Sequence, residues 1–386
     1  MFRFLTAGES HGKGLTAIVE GMVAGMSLNE ADINRDLERR QHGHGRGGRM
    51  KIEQDRAEIL SGVRHGKTLG SPISLFIRNR DWENWQKTMD AAAVNGEVEK
   101  VTRLRPGHAD LAGALKYGFD DVRNVLERAS ARETAARVAV GAVARKFLEE
   151  FGVSVHSHTV AIGGKWAEAA AVVDWSRVEE SPVRCSDPAA EKEMVSAIDR
   201  ARESGDTLGG VFEIVADGVP VGLGSHVQWD RKLSSRIAQA AMSINAVKGV
   251  EIGAGFAVAE VPGSQAHDII FSTGPIGAWR HATNRAGGVE GGMSNGEPVV
   301  VRAAVKPIAT LAHPLPSVDL KTGMAVEAHY ERSDVCAVPA AGVIGEAMLS
   351  IVLCEAILEK FGGDSLEETL RNHREYAKSV AARLKP

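Results

Sequence analysis

The alternation of apolar and polar positions predicts short strands and amphipathic helices along the whole chain. Runs of apolar and β-branched residues predict strands at 2–5, 16–23, 71–78, 211–216 and 299–305. Apolar positions at helical spacing predict helices that start after caps at Ser27, Ser130, Asp187 and Ser365, with a further helix near 233–244. Because strands and helices do not alternate strictly, the pattern favours an α+β fold over a doubly wound parallel sheet.

Two segments depart from simple amphipathic patterning. Residues 343–358 are apolar almost all round, which predicts a helix buried on every side. Residues 79–105 are polar with little periodicity, and we interpret them as a long loop or lid. No linker rich in Pro or Ser interrupts the chain, so we expect one domain over residues 1–386, with two similar halves inside it as an open alternative.

Composition narrows the class of protein. Apolar residues at 44% and charged residues at 25% exclude global disorder, and the net charge of −4 excludes a bulk polycation. Aromatic residues at 5% argue against binding of single strands by base stacking. The three cysteines are far apart, which disfavours a disulfide framework and a cysteine zinc site. Without a signal peptide or an apolar run approaching about 18 residues, we expect a cytoplasmic protein with no membrane span.

Two segments near the N-terminus combine glycine with charged or titratable side chains. His11 lies between glycines directly after a predicted strand, where a catalytic residue and a plain surface histidine are equally good interpretations. The stretch 39–49 holds four arginines and four glycines without an acid, which favours an anion site over a solvated loop. A metal at His42 and His44 lacks a third ligand at sensible spacing.

Two further segments place cations near predicted helix starts. Arg105 precedes a Pro-Gly turn that presents His108, and Asp110 could orient the imidazole of His108. Arg128 and Arg132 flank the cap at Ser130, where a helix N-terminus attracts anions. For each segment the plain alternative, a structural histidine or an ordinary cap, stays open.

The C-terminal half adds a glycine-rich loop and an acid near arginine. Residues 286–296 are rich in glycine and are followed, at 306–310, by Lys-Pro-Ile-Ala-Thr, so backbone there can approach a flat or phosphorylated ligand. Asp334 follows Arg332 just before the predicted buried helix, and an acid near arginines there is either a base or, as the more common outcome, a salt-bridge partner.

Taken together, these segments resemble the chorismate synthase family. Its three signature regions match 8–12, 127–134 and 332–340, in the right order and at compatible spacing. The resemblance implies a β-α-β sandwich with helices packed between antiparallel sheets, assembled as a homotetramer. It also implies a 1,4-anti elimination of phosphate from 5-enolpyruvylshikimate 3-phosphate to give chorismate, with reduced FMN and no net redox change.

The resemblance implies a role for each matching residue. His11 matches the histidine near the leaving phosphate, His108 the one near the flavin ring, and Asp334 the acid beside flavin N5. The substrate residues that it implies are Ser10, Arg40, Arg46, Arg49, Arg105, Ser130, Arg132 and Arg332. The FMN residues that it implies are Arg128, Ala129, Ser130, Asn245, Ala246, Gly291, Lys306, Pro307, Ile308, Ala309, Thr310 and Arg332.

The chain departs from the family at one point and leaves two rival functions to weigh. Many relatives carry more hydroxyl residues where Ile308 and Ala309 stand, so we expect these two to contact FMN only through backbone. We see no added flavin-reductase segment and expect an external NAD(P)H-dependent reductase, with no nucleic acid and no membrane as partners. The rivals are an RNA-binding protein that uses the Arg/Gly loop, and a flavin reductase that turns over NADPH.

Overall fold

Apolar strands from both halves of the chain form two large antiparallel sheets. The computed structural model describes residues 2–47, 53–93, 96, 98–169, 172–272, 279–331 and 333–383. The strands are β1 (Arg3–Ala7), β2 (Gly14–Glu20), β3 (Ala57–Ser61), β4 (Val63–Arg64), β5 (Lys67–Thr68), β6 (Ile73–Arg78), β7 (Ser154–Ile162), β8 (Lys165–Trp166), β9 (Gly210–Asp217), β10 (Val247–Ile252), β11 (Ile270–Ser272), β12 (Trp279–His281), β13 (Val289–Glu290), β14 (Met293–Ser294), β15 (Val299–Val305), β16 (Pro316–Val318) and β17 (Ala325–Glu327). The larger sheets have the orders β1-β2-β6-β3 and β10-β15-β9-β7-β8.

The described part of the chain also forms eleven α-helices. They are α1 (Glu30–Gln41), α2 (Trp82–Met89), α3 (Asp110–Tyr117), α4 (Arg123–Ala129), α5 (Thr134–Glu149), α6 (Trp175–Glu180), α7 (Pro188–Glu203), α8 (Leu233–Met242), α9 (Gly263–Ala266), α10 (Val338–Phe361) and α11 (Leu366–Arg383). α5 packs on β2 and β6 of the first sheet, α10 packs on β7 and β9 of the second, and the two helices pack on each other. This layering confirms the predicted α+β sandwich with helices between antiparallel sheets.

The helix caps agree with the sequence at some positions and differ at others. Asp187 caps α7 as predicted, and Ser130 Oγ accepts from Arg132 N at 3.3 Å, although a short 3-10 turn separates Ser130 from α5. The predicted cap at Ser27 is wrong. Asn29 and Asp32 form the capping box of α1, because Ser27 is paired with Lys67 in an extended bridge.

The interpretation of 79–105 as a loop was wrong in part, because α2 lies inside it. No residue of α2 is buried. Trp82, Trp85 and Met89 recur at helical spacing, but the eight residues of α2 are fewer than the roughly 11 over which helical periodicity is read. The helix is instead tied to the rest of the molecule by Trp85, whose ring stacks on the ring of His11 at 3.9 Å between centroids.

The predicted buried helix is confirmed and is longer than the apolar run suggested. Among the described residues, α10 is long and apolar enough to span a membrane, contrary to our expectation that no segment would be. However, 89% of its most apolar window is buried inside the fold. Packing against a sheet and against other helices accounts for an apolar surface on every side.

A buried carboxylate interrupts this apolar helix. Glu346 accepts hydrogen bonds from Arg39 Nη1 at 2.7 Å, Ser157 Oγ at 2.7 Å and Arg184 Nη2 at 3.2 Å, and it also pairs with Arg145. Burial favours the neutral acid, but the arginines outweigh burial and hold the pKa of Glu346 far below its ordinary value. Glu346 and these four partners, which we name the Glu346 cluster, therefore connect α10 to α1, α5 and β7.

Glu346→Ala should lower the free energy of unfolding by about 3–5 kcal/mol, because it leaves buried guanidinium groups without their carboxylate. Urea denaturation at pH 7 measures this loss. Glu375→Ala is the matched control, since Glu375 forms an exposed pair with Lys378 and its loss should stay within about 0.5 kcal/mol. Equal losses for the two variants would contradict a structural role for the cluster.

Candidate active site

The first part of the site is the loop between β1 and β2, which carries Ser10 and His11. Gly8 has φ of +109°, and a Cβ there would collide with the carbonyl oxygen of Gly14, so this turn requires glycine. Ser10 N donates to Glu127 O at 3.1 Å, and Ser10 and Ser130 lie with their hydroxyls 3.2 Å apart. The first two signature regions of the sequence therefore meet in space.

His11 is held by a buried carboxylate that the sequence analysis gave no role. Glu127 lies 2.9 Å from His11 Nδ1 and accepts from His11 N at 2.8 Å. Burial alone would raise the pKa of Glu127, but His11 and Arg123 outweigh it, so that pKa is lowered. The ring of Trp85 stacks on the face of the His11 imidazole. The guanidinium carbon of Arg123 lies 5.1 Å from the centroid of the same indole. The imidazole is thus fixed in both position and plane.

Behind this loop, Arg40, Arg46 and Arg132 form a group that we name the arginine cluster. Asp55 is buried between two of them, paired with Arg132 and 3.3 Å from Arg40 Nη1. The pKa of Arg40 is lowered to about 10, by burial first and then by repulsion from Arg46 and Arg132. The three guanidinium groups therefore lie close enough to repel one another, and their acidic partners are Asp55, Asp334 and Glu53.

Asp334 belongs to the same cluster. Its carboxylate accepts from Arg46 Nη1 at 2.5 Å and from Gly47 N at 2.6 Å. The salt bridge that the sequence analysis considered the more common outcome is therefore present, next to the predicted substrate arginines. Arg49 and Arg332, which the sequence analysis also placed here, lie outside the described residues.

The second part of the site is the turn that presents His108. Asp110 Oδ1 lies 2.5 Å from His108 Nδ1, so the predicted orientation of the imidazole by Asp110 is confirmed. Arg105 donates to both oxygens of the Asp110 carboxylate, from Nε to Oδ2 at 2.8 Å and from Nη2 to Oδ1 at 3.0 Å. Burial favours the neutral acid, but His108 and Arg105 outweigh it and lower the pKa of Asp110 to about 2.

Glu331 lies between the His11–Glu127 pair and the His108–Asp110 pair, and no motif of the sequence marked it. Its carboxylate lies 3.5 Å from Arg123 and 3.9 Å from Arg105. Burial would raise the pKa of Glu331, but His329, followed by Arg105, Arg123 and His11, outweighs burial and lowers that pKa. Arg123 pairs with Glu127 beside His11, and Arg105 pairs with Asp110 beside His108. His11 and His108 therefore stand at two ends of one continuous charged network.

Several of the predicted FMN residues contact one another, and Thr310 links them to Arg105 beside His108. Asn245 donates to Ala129 O at 3.1 Å, Ala246 O accepts from Lys306 N at 2.9 Å, and Arg105 Nη1 reaches Thr310 Oγ1 at 3.4 Å. The backbone carbonyl of Ile308 accepts a hydrogen bond from Thr207 Oγ1 at 2.8 Å, so the polar contact of this residue is made by its backbone.

Two of the predicted FMN residues lie apart from that group. Arg128 is exposed and donates to the carbonyls of Thr6 and Gly8. Gly291 lies near the start of α8, since its neighbour Gly292 accepts from Leu233 N, whereas Asn245 follows the end of that helix. The ten residues of α8 separate the two by roughly 15 Å.

No group of three or more potential metal ligands occurs among the described residues. His44 instead lies 2.8 Å from Asp199.

The fold is a sandwich of two antiparallel sheets around buried helices, and its site combines an arginine cluster with two histidine–carboxylate pairs, so the class of protein is an enzyme. The family model for chorismate synthase matches residues 2–358. Chorismate synthase of Moorella thermoacetica is 60% identical over 386 residues, which cover 98% of this chain and all of that one. That of Aquifex aeolicus is 56% identical, over 98% of both chains.

A solved structure agrees with the sequence relatives. The crystal structure of a chorismate synthase superimposes with a TM-score of 0.79 at 47% identity, over 99% of this chain and 98% of that one. The chain belongs to the chorismate synthase family, and its function is that of a lyase in shikimate-pathway and aromatic biosynthesis. The match across the whole chain favours this function over both rivals.

Asp110→Asn should lower the free energy of unfolding by roughly 2 kcal/mol at pH 7, since the folded pKa of about 2 lies below the ordinary 3.8. A depressed carboxyl pKa stabilises the fold above the unfolded value and loses that effect as pH falls. Urea denaturation of both proteins should therefore show a difference that is constant above about pH 5 and shrinks as pH falls below 4. A difference that grows on acidification would contradict the assignment.

Proposed function

We propose that this site binds 5-enolpyruvylshikimate 3-phosphate together with reduced FMN and eliminates phosphate to give chorismate, as a carbon–oxygen lyase acting on phosphates. The observation that carries the proposal is a site that combines the arginine cluster with a charged network joining two histidine–carboxylate pairs, His11–Glu127 and His108–Asp110. The substrate carries a phosphate and two carboxylates, so a site for it needs concentrated positive charge in a chain whose net charge is −4.

The proton-carrying groups suit the ends of such a substrate. His11, next to the serine pair and Arg132, is our candidate for the side of the leaving phosphate. A histidine held by a carboxylate can donate a hydrogen bond or proton to a departing anion while the arginines stabilise the developing charge. His108, beside the Lys306–Thr310 segment, is our candidate for the flavin side, with Asp334 fixed between Arg46 and Gly47 as the nearby acid.

The residues at the proposed FMN end fit an anionic, hydrogen-bonding cofactor. Asn245 Oδ1 is buried and has no hydrogen-bond partner among the described residues, so it can accept from an N–H donor of a ligand. Lys306 forms no ion pair within the described residues, and burial followed by repulsion from Lys248 lowers its pKa. Reduced FMN, when bound, would lend electron density as phosphate leaves and recover it afterwards. An external NAD(P)H-dependent reductase, a homotetramer and a cytoplasmic location complete the proposal.

An anaerobic assay tests this function. Purified protein is mixed with 5-enolpyruvylshikimate 3-phosphate and dithionite-reduced FMN, and chorismate and free phosphate are followed together. Equal amounts of both products without loss of reduced flavin are expected. NADPH turnover without substrate would favour a flavin reductase, and salt-sensitive RNA binding without chorismate would favour the Arg/Gly-loop alternative.

His11→Ala and His108→Ala should each lower kcat by at least about tenfold, because each removes a positioned proton donor. His226→Ala is the control, since His226 is exposed and stands apart from the charged network. Steady-state rates in the same assay measure the effect, with thermal unfolding to confirm the fold. Rates at the wild-type level in either variant would remove that histidine from the mechanism.

Lys306→Met should weaken FMN binding by about tenfold, since it deletes a half-buried cation with no acidic partner among the described residues. Titration of FMN, followed by its fluorescence, measures the dissociation constant independently of turnover. Lys165→Met serves as the control, because Lys165 pairs with Glu193 at the surface. Equal affinity in the wild type and Lys306→Met would place the flavin elsewhere.

A further inference from the structure

Asn79 occupies a position between the His11 loop and the arginine cluster that no motif of the sequence had marked. It follows directly after β6 and is only 2% exposed. A buried carboxamide is costly unless its donors and acceptor are all satisfied. The partners of Asn79 therefore indicate what the side chain does.

The nitrogen of Asn79 holds the His11 loop. Nδ2 donates to the carbonyl oxygens of Glu9 at 3.1 Å, Ser10 at 3.2 Å and Gly12 at 2.7 Å. Carbonyl oxygens can only accept, so this set of partners fixes which end of the amide is nitrogen. The residues immediately before and after His11 are thus both tied to one side chain.

The oxygen of Asn79 holds Arg132. Oδ1 accepts from Nε at 3.0 Å and from Nη2 at 2.8 Å, while Asp55 takes the remaining edge of the guanidinium group. This two-point contact sets the direction of the guanidinium fork as well as its position. Arg132 lies at the start of α5, so Asn79 joins two segments that are far apart in sequence.

We infer that Asn79 is a positioning residue that fixes the separation between His11 and Arg132 for the elimination. The inference rests on the proposed roles of these two residues in the proposed function. Catalytic groups must be held within a fraction of an ångström, and small misplacements cost large factors in rate. A carboxamide suits the task because it offers donors on one side and an acceptor on the other.

Two near-isosteric substitutions separate the two contacts. Asn79→Asp keeps an acceptor for Arg132 but sets a carboxylate against three carbonyl oxygens, so the His11 loop should shift. We expect kcat to fall at least about tenfold while KM stays within about threefold. Asn79→Leu removes both contacts, so kcat should fall and KM should also rise, by about tenfold.

Three controls decide whether the effect is positional. Asn372→Asp makes the same chemical change at a residue of α11 that donates to the carbonyl of Phe361, and its kcat and KM should stay at the wild-type values. Asn79→Ser is the milder variant if the others fold poorly, and its kcat should also fall at least about threefold. In a His11→Ala background, substitution of Asn79 by Asp should cost little further kcat, since both changes act on the same group.

Several results would overturn the inference. These are wild-type kcat in Asn79→Asp or Asn79→Ser, equal KM values in the Asp and Leu variants, or full additivity with His11→Ala. Losses of activity that merely follow the unfolded fraction in thermal denaturation would assign Asn79 a purely structural role. Absence of chorismate from the wild type and from Asn372→Asp would instead reject the proposed function itself.

Discussion

The pairing of the site's arginines with buried or half-buried acids is the constraint on which the rest of the structure depends. Asp55 lies between Arg40 and Arg132, Asp110 holds Arg105, and Asp334 holds Arg46. A chain with a net charge of −4 has no general excess of cations, so positive charge for an anionic ligand has to be concentrated locally. Placing the acids behind the arginines keeps the guanidinium groups fixed before any ligand arrives, which lowers the entropic cost of binding.

The same principle extends from the site into the core. Glu346 sits on the most apolar helix and draws Arg39 from α1 and Arg145 from α5 to one point. Arg39 belongs to the Glu346 cluster in the core, and the next residue of α1, Arg40, belongs to the arginine cluster in the site. Neighbouring residues of one helix therefore connect the two clusters. Buried ion pairs add little net stability compared with apolar contacts, but they specify one orientation of the elements that carry them. Orientation is what a site assembled from several helices and loops requires.

Elements that bury apolar residues were in part predicted from the sequence. The strands at 211–216 and 299–305 show the expected alternation, and the buried α10 was recognised by its continuous apolar run. α2 was missed because it is only eight residues long and buries nothing. Within the site, glycine and arginine motifs located His11, Arg132 and His108. Asp55, Asn79 and Glu331 are single polar residues outside any motif, and only the folded chain brings them to their partners.

A structure of the protein in complex with 5-enolpyruvylshikimate 3-phosphate and FMN tests the central claim most directly, because the claim concerns where each end of the ligands lies. We expect the substrate phosphate beside His11 and Arg132, with the flavin ring between His108 and the Lys306–Thr310 segment. We also expect the pairs of Asp55 and Asp110 with their arginines to be the same with and without ligand. A phosphate bound at the His108 end, or arginines that leave their acids to reach the substrate, would contradict a site held ready by its buried carboxylates.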